Sequence, residues 1–390
     1  MNTPIPPLRP AAQAVYHAIT SYDPASRDTR WPSAVFDQLT RDLFAEQVEH
    51  NETYGAFCTR RAITPGTLEH IDQIPAVPTD VFKYARLASF SPGQTIRTFR
   101  TSGTTVGDRG AHDFRDLSVY RASLLAGFEA FMLHGLSAKT HRMIVLTASP
   151  QDAQDSSLSY MMGEVVGRWA DSSSTFHVKR DPDSDQLTLD LDSVCAALDL
   201  ASAHHGPVLV MGTAFAFMAL FDSAPDRTWS LPAGSRVMET GGFKGKSREV
   251  SRATLYAWMV ERFGVAAHHV VSEYSMTELS AQAYTDVMRP APELAAPRAL
   301  LVPPWVKLDV VDPLTLEVRT APDATGLIRW LDLSNHDSVL AVQTSDFGTR
   351  TTRGLVLHGR AKAATLRGCS LTIEEILEAS SPSGSANRDP

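Results

Sequence analysis

One pattern constrains this chain above all others. Between about residues 95 and 271, apolar runs of strand length alternate with longer segments whose apolar residues recur at helical spacing. Residues 96–99 read as a short strand. Leu117, Tyr120, Leu124, Leu125, Phe128, Phe131 and Met132 then stripe one helix face, with Asp116 placed to cap it. Residues 143–146 read as a buried strand, and Leu158, Met161, Met162, Val165, Val166 and Trp169 as a second helix face. The alternation repeats at 208–211 and 214–221, again at 236–238 and 247–263, and closes on a strand at 270–271. It predicts an α/β fold, a mostly parallel sheet covered by helices. In such sheets ligands sit beyond the carboxyl ends of the strands.

The flanks differ. Phe36, Leu39, Leu43 and Phe44 share one helix face, so residues 1–94 read as a helical N-terminal region. Residues 95–297 form the α/β core. Residues 298–375 are strand-rich and read as a smaller β subdomain, and 376–390 as a tail rich in Ser, Pro and Gly. No internal repeat is present.

Hydrophobic residues make up 43% of the 390, enough for a sizeable core. The formal charge of −8 provides no global attraction for nucleic acid or an anionic membrane. The longest apolar stretch, 208–221, is too short for a span of about 20 residues. Cys58, Cys195 and Cys369 lie far apart with no CxxC pair, which excludes a disulfide scaffold. The N-terminus lacks a signal-peptide pattern, so a reduced cytoplasmic setting is expected.

Four segments can carry chemistry. Residues 101–107, TSGTTVG, follow a strand; hydroxyls and glycines in one tight loop can wrap N–H and O–H donors around phosphate oxygens. Residues 273–278, EYSMTE, also follow a strand. Tyr274 could stack on a base, Thr277 bond a phosphate and Glu278 hold Mg²⁺, yet Ser275 and Glu278 equally have capping-box spacing. In 344–348, TSDFG, Asp346 could accept bonds from two ribose hydroxyls or simply serve a turn. In 358–371, HGRAKAATLRGCSL, Arg360, Lys362 and Arg367 surround Cys369. Nearby cations favour the nucleophilic thiolate; the alternative is a basic turn with an inert buried thiol. Residues 240–247, TGGFKGKS, miss a Walker A loop by one position, Thr240 standing where glycine is required. The pairs His204–His205 and His268–His269 lack the i, i+4 spacing of a helical zinc site.

The order of these segments is more specific than any one of them. TSGTTVG, the Gly-Gly pair at 241–242, EYSMTE, TSDFG and HGR resemble the motif series of the adenylate-forming (acyl-AMP) ligase superfamily. Within it, IPAVPTDVFKYARL, DSSLSYMM, METGGFKGK, EYSMTEL, LIRWLDLSNHDSVLAVQTSDFG and HGRAKAATLRGCSL are similar to the LuxE-type acyl-protein synthetases of bacterial luminescence. The likeness covers about residues 35–375. It implies the superfamily's large-domain fold, ATP and Mg²⁺, a carboxylic acid substrate, and transfer of the acyl group to a thiol. The acceptor would be an acyl-accepting protein such as a reductase or carrier, or CoA, with no nucleic acid and no membrane span involved.

The resemblance implies residue roles. Thr101, Ser102, Gly103, Thr104, Thr105 and Gly107 would cradle the triphosphate. Gly241 and Gly242 would line the adenine, with Tyr274 on its other side. Thr277 would touch the α-phosphate, Glu278 would bind Mg²⁺, Asp346 would hold the ribose, and Arg360 would sit near ribose or phosphate. Cys369 stands where an acyl-accepting cysteine is expected. The departures are a missing Lys after the first loop, with Arg109 roughly in its place, Ser275 where glycine is usual, and no large C-terminal domain with its lysine. An acyl- or aryl-CoA ligase, or a degenerate adenylate-binding module, is the alternative.

Overall fold

The computed structural model describes residues 7–26, 30–102, 109–181, 186–241, 250–286, 298–361 and 367–380. It opens with helices α1 (Pro10–Thr20), α2 (Ser33–His50) and α3 (Glu52–Arg60). Phe36, Leu43 and Phe44 of α2 are buried, as their spacing predicts. Asn51 ends α2 and caps α3, its side chain accepting from the Tyr54 N–H at 3.1 Å. Strand β1 (Val77–Pro78) leads to the hairpin β2 (Arg97–Arg100) and β3 (Ala111–Phe114), then to α4 (Ser118–Met132). Asp116 lies one residue outside the α4 cap position, which Leu117 occupies; it still accepts from the Ser118 N–H at 2.7 Å.

The alternating section follows as β4 (Arg142–Ala148), α5 (Ser157–Trp169), β5 (Thr175–Arg180), β6 (Leu187–Leu189), α6 (Leu191–Ser202), β7 (Val208–Thr213), α7 (Ala214–Ser223), β8 (Arg236–Thr240), α8 (Arg252–Phe263) and β9 (Val270–Tyr274). Four of these helices start on side-chain caps: Ser156, Asp190, Thr213 and Ser251. Strands β5, β4, β7, β8 and β9 pair in parallel in that spatial order. Their alternate residues divide between two cores. Ile144, Leu146, Val208, Val210 and Val237 face α6, α7 and α8. Met143, Val145, Leu209, Met211 and Met238 face α4 and α5. Burial on both faces explains why these strands read as unbroken apolar runs.

The sheet continues without a break into β10 (Ala283–Thr285), β11 (Leu300–Leu301), β12 (Val306–Val311), β13 (Thr325–Asp332), β14 (Ala341–Thr351) and β15 (Gly354–Arg360). The hydrogen-bonded order is β12-β13-β14-β15-β11-β10-β9-β8-β7-β4-β5-β6, with β1 joined in parallel to β14. The N-terminal helices cover this C-terminal half: Leu43, Phe44, Tyr54 and Phe57 share a core with Trp305, Ile328, Trp330 and Val342.

A final helix, α9 (Arg367–Ser380), takes in the first five residues of the tail expected at 376–390, and 381–390 lie outside the described residues. Thr372 and Ile376 are buried on one of its faces, and Arg61, just past the end of α3, pairs with Glu375 at 2.7 Å. Among the described residues, no helix is long and apolar enough to cross a membrane.

Candidate active site

The first loop is held at its base. The Thr101 N–H donates to the Gly110 carbonyl at 2.9 Å, and the Gly110 N–H donates to Thr101 Oγ1 at 2.8 Å. A Cβ on Gly110 would sit 3.1 Å from Thr101 Cγ2 and 3.3 Å from Phe82 Cβ, so glycine permits this closure. Arg109, roughly in the place of a loop lysine, is engaged at the loop base. Its Nε donates to the Thr101 carbonyl at 2.7 Å and its Nη1 pairs with Asp155 at 2.7 Å. Ser102 is exposed. Gly103, Thr104, Thr105 and Gly107 lie outside the described residues.

At the carboxyl end of β8, Gly241 turns the chain with φ +80°, a conformation that favours glycine. Gly242 and Lys246 lie outside the described residues. Thr240 is tied to the neighbouring strand, its hydroxyl donating to Glu273. Burial pushes the Glu273 carboxyl up to about 7; the hydroxyls of Ser275 and Thr240 oppose the shift and Glu239 adds to it. Between the usual carboxylate range and about pH 7 the folded chain therefore holds a proton that the unfolded chain releases. The stability from this group is present at low pH and fades as pH rises through about 7. Glu273→Gln should gain about 1–3 kcal/mol on the parent between pH 5 and pH 8, read from urea midpoints. Parallel pH profiles for the two proteins would refute this.

Tyr274, at the end of β9, is buried beside Trp330, ring centroids 5.6 Å apart. Its hydroxyl donates to Asp346 Oδ2 at 2.9 Å. Burial and the Asp346 carboxylate push the phenol upward, so it stays a donor. Asp346 is not in a turn. It lies within β14 opposite Arg360 of β15, where the register slips between Phe347 and Gly348. A Cβ on Gly348 would approach Leu355 Cδ2 to 2.7 Å, so the motif's glycine serves close strand packing. Asp346 is half-buried and Arg360 exposed.

Thr277 and Glu278 lie in a turn after β9, not at a helix start, so the capping-box alternative fails. Three side chains from elsewhere hold this turn. His112 of β3 bonds the Thr277 carbonyl at 2.8 Å. Asn335 Nδ2 donates to the Glu278 carbonyl at 3.0 Å. Asp332 Oδ2 accepts from the Ser280 and Ala281 N–H groups, each at 2.9 Å. The Glu278 side chain is 7% exposed.

Of the two sequence readings of Cys369, the structure shows the buried thiol. It is buried with Val311 and Leu327, against Phe347 and Ala361, the chain neighbours of Asp346 and Arg360. Burial, with Asp80 nearby, pushes the thiol up to about 11. Lys362 and the Arg367 side chain lie outside what is described. The thiol is thus close to the site and uncharged.

The described parts of all five motifs are joined. Thr240 reaches Glu273, Tyr274 reaches Asp346, Asp346 faces Arg360, and the hairpin carrying residues 101–109 reaches Thr277. Sequence reading missed His112, Asp332 and Asn335. Alternation in AHDF, with Phe114 and His112 on one buried face, was the available signal for the first. Among the described residues, no group of three or more His, Cys, Asp or Glu side chains is assembled for a metal. A single carboxylate in the site, Glu278, is compatible with Mg²⁺, which commonly takes one or two protein carboxylates plus substrate phosphates and water.

This architecture is that of the adenylate-forming ligases. A 2-hydroxyisobutyryl-CoA ligase, solved in an open conformation with 2-HIB-AMP and CoA, superimposes with a TM-score of 0.61 at 14% identity, over 87% of this chain and 80% of that one. The same ligase in its postadenylation state gives 0.62, over 87% and 72%.

The chain belongs to the acyl-protein synthetase (LuxE) family, whose profile matches residues 11–378. It is 24% identical to the long-chain-fatty-acid–luciferin-component ligase of Aliivibrio fischeri, over 88% of each chain. It is 21% identical to the Vibrio harveyi protein of the same name, over 89% of each. It is an enzyme of ATP-dependent acyl-adenylate formation and acyl transfer.

Proposed function

We propose that the acid is a fatty acid, activated at the convergence of loops just described and passed to a thiol in a reduced, cytoplasmic setting. The relatives' names support the substrate class. The observation that carries the site is the Tyr274–Asp346 hydrogen bond of 2.9 Å, which joins two motifs 72 residues apart. In this reading Thr101, Ser102, Gly103, Thr104, Thr105 and Gly107 hold the triphosphate. Gly241, Gly242 and Tyr274 frame the base, and Asp346 with Arg360 holds the ribose edge. Thr277 orients the α-phosphate while the fatty carboxylate attacks it and pyrophosphate leaves. Mg²⁺ held by Glu278 would neutralise charge developing on the phosphoryl oxygens. The loop donors keep both anions aligned, which is where most of the rate gain arises.

Cys369 is the proposed acyl acceptor on this chain, ahead of a partner protein. Its place beside Phe347 and Ala361 supports this, and its burial requires the first turn of α9 to open before attack. Purified protein with ATP, Mg²⁺ and a chain-length series of fatty acids should release pyrophosphate. Cys369→Ser should keep that release and lose the stable protein thioester. Silence across the whole series would overturn the activity, and an unchanged thioester would overturn the acceptor.

A further inference from the structure

Residues 275–281 have no regular structure, yet they carry Thr277 and Glu278. Their backbone is held from two directions. Asp332, the last residue of β13, and Asn335, in the connection to β14, reach them from one side. His112 reaches them from β3, the strand that receives the chain from the 101–109 loop. The base of that loop is closed at Thr101 and Gly110, two residues before His112. A single side chain therefore spans from the frame of one loop to the backbone of the other.

The ring is suited to this. A carbonyl oxygen can only accept, so Nδ1 carries the proton and donates to Thr277. The imidazole is 1% exposed and wedged between Phe114, at 4.2 Å between ring centroids, and Phe82, at 5.8 Å. Burial lowers its pKa to about 4, so it is neutral at physiological pH and the tautomer is set by the bond it makes.

We propose that His112 is a positioning residue, a strut that fixes the spacing between the phosphate-loop hairpin and the Thr277–Glu278 turn. The inference rests on the functional reading above for its kinetic consequence, but not for its structural one. His112 touches no reacting atom. It acts by setting where Thr277 and Glu278 stand relative to the loop base closed at Thr101 and Gly110, and a misplacement of about 1 Å costs on the order of 100-fold in rate.

The test uses the full chain and two variants. His112→Leu keeps an apolar body and loses the donor; His112→Asn keeps an N–H near the Nδ1 position. His112→Leu should lower kcat for pyrophosphate release about 10–100-fold while the KM for ATP moves less than about 3-fold. His112→Asn should recover kcat to within about 5-fold of the parent, whatever its melting temperature. Amide exchange at residues 279–281 should quicken in His112→Leu and be restored in His112→Asn. An unchanged kcat in His112→Leu, or an equal loss in both variants, overturns the proposal. Should the parent release no pyrophosphate, the functional reading fails and amide exchange decides alone: quickening restored by Asn upholds the strut, and no change removes it.

Discussion

Glu278→Gln is expected to cut ATP-dependent pyrophosphate release by about 100- to 1,000-fold, the cost of removing one preorganised electrostatic group from the proposed phosphoryl site. The substitution is isosteric, so the turn around it should survive. Its carbonyl stays bonded to Asn335, and Asp332 still holds the next two amides. The loss should therefore fall on kcat and on the Mg²⁺ concentration needed for half activity, with the melting temperature within about 2 °C of the parent. Steady-state release at several Mg²⁺ concentrations separates the outcomes. A loss of less than about 3-fold at saturating Mg²⁺ would remove Glu278 from the metal role.

Asp332→Ala should be the most damaging single change to stability among those considered. Asp332 is fully buried. It accepts from the N–H groups of Ser280, Ala281 and Ser334, each at 2.9 Å, and from the Ser334 hydroxyl. Truncation leaves three buried amides without an acceptor, each costing about 1–3 kcal/mol. With partial relaxation the expected loss is about 3–5 kcal/mol in a urea titration, and activity should fall with it because Thr277 and Glu278 stand on the same turn. Asp332→Asn should cost less, since one oxygen remains to accept. A loss below about 1 kcal/mol for alanine would mean that water replaces the carboxylate.

The alternating strands and helices were legible because the central strands are buried on both faces, which leaves unbroken apolar runs such as Val208 to Met211. The candidate loop segments stood out for a different reason. Clusters of glycine and hydroxyl residues after apolar runs drew the reading, and five such segments in series narrowed the choice, although Asp346 and Gly348 lie inside β14. What sequence concealed was set by distant partners. Apart from Leu333, residues 332–338 are polar, and nothing in their local pattern marks them as interior, yet Asp332, Ser334, Asn335, His336, Asp337 and Ser338 are all buried. Their partners, including Gln47 and Arg115, come from far along the chain. The choice between the two readings of Cys369 was hidden for the same reason. Its sequence neighbours are cationic, but α9 turns the thiol inward, where burial and Asp80 dominate. The capping-box spacing at Ser275 and Glu278 misled because the chain is drawn into a turn by Asp332 and Asn335 before any helix can start.

The burial of Gln47 has a bearing on how the molecule is made. Its side chain donates to the backbone carbonyls of Asn335 and His336 and accepts from the Leu340 amide, 288 to 293 residues further on. At about 5–20 residues per second, α2 leaves the ribosome on the order of 15–60 s before these groups exist. The part of its apolar face that packs on the C-terminal strands stays uncovered for that interval, a window in which a nascent chain is open to chaperones and to aggregation. Products of premature termination upstream of residue 335 lack these partners altogether, and should be recovered as insoluble fragments and not as partly active enzyme.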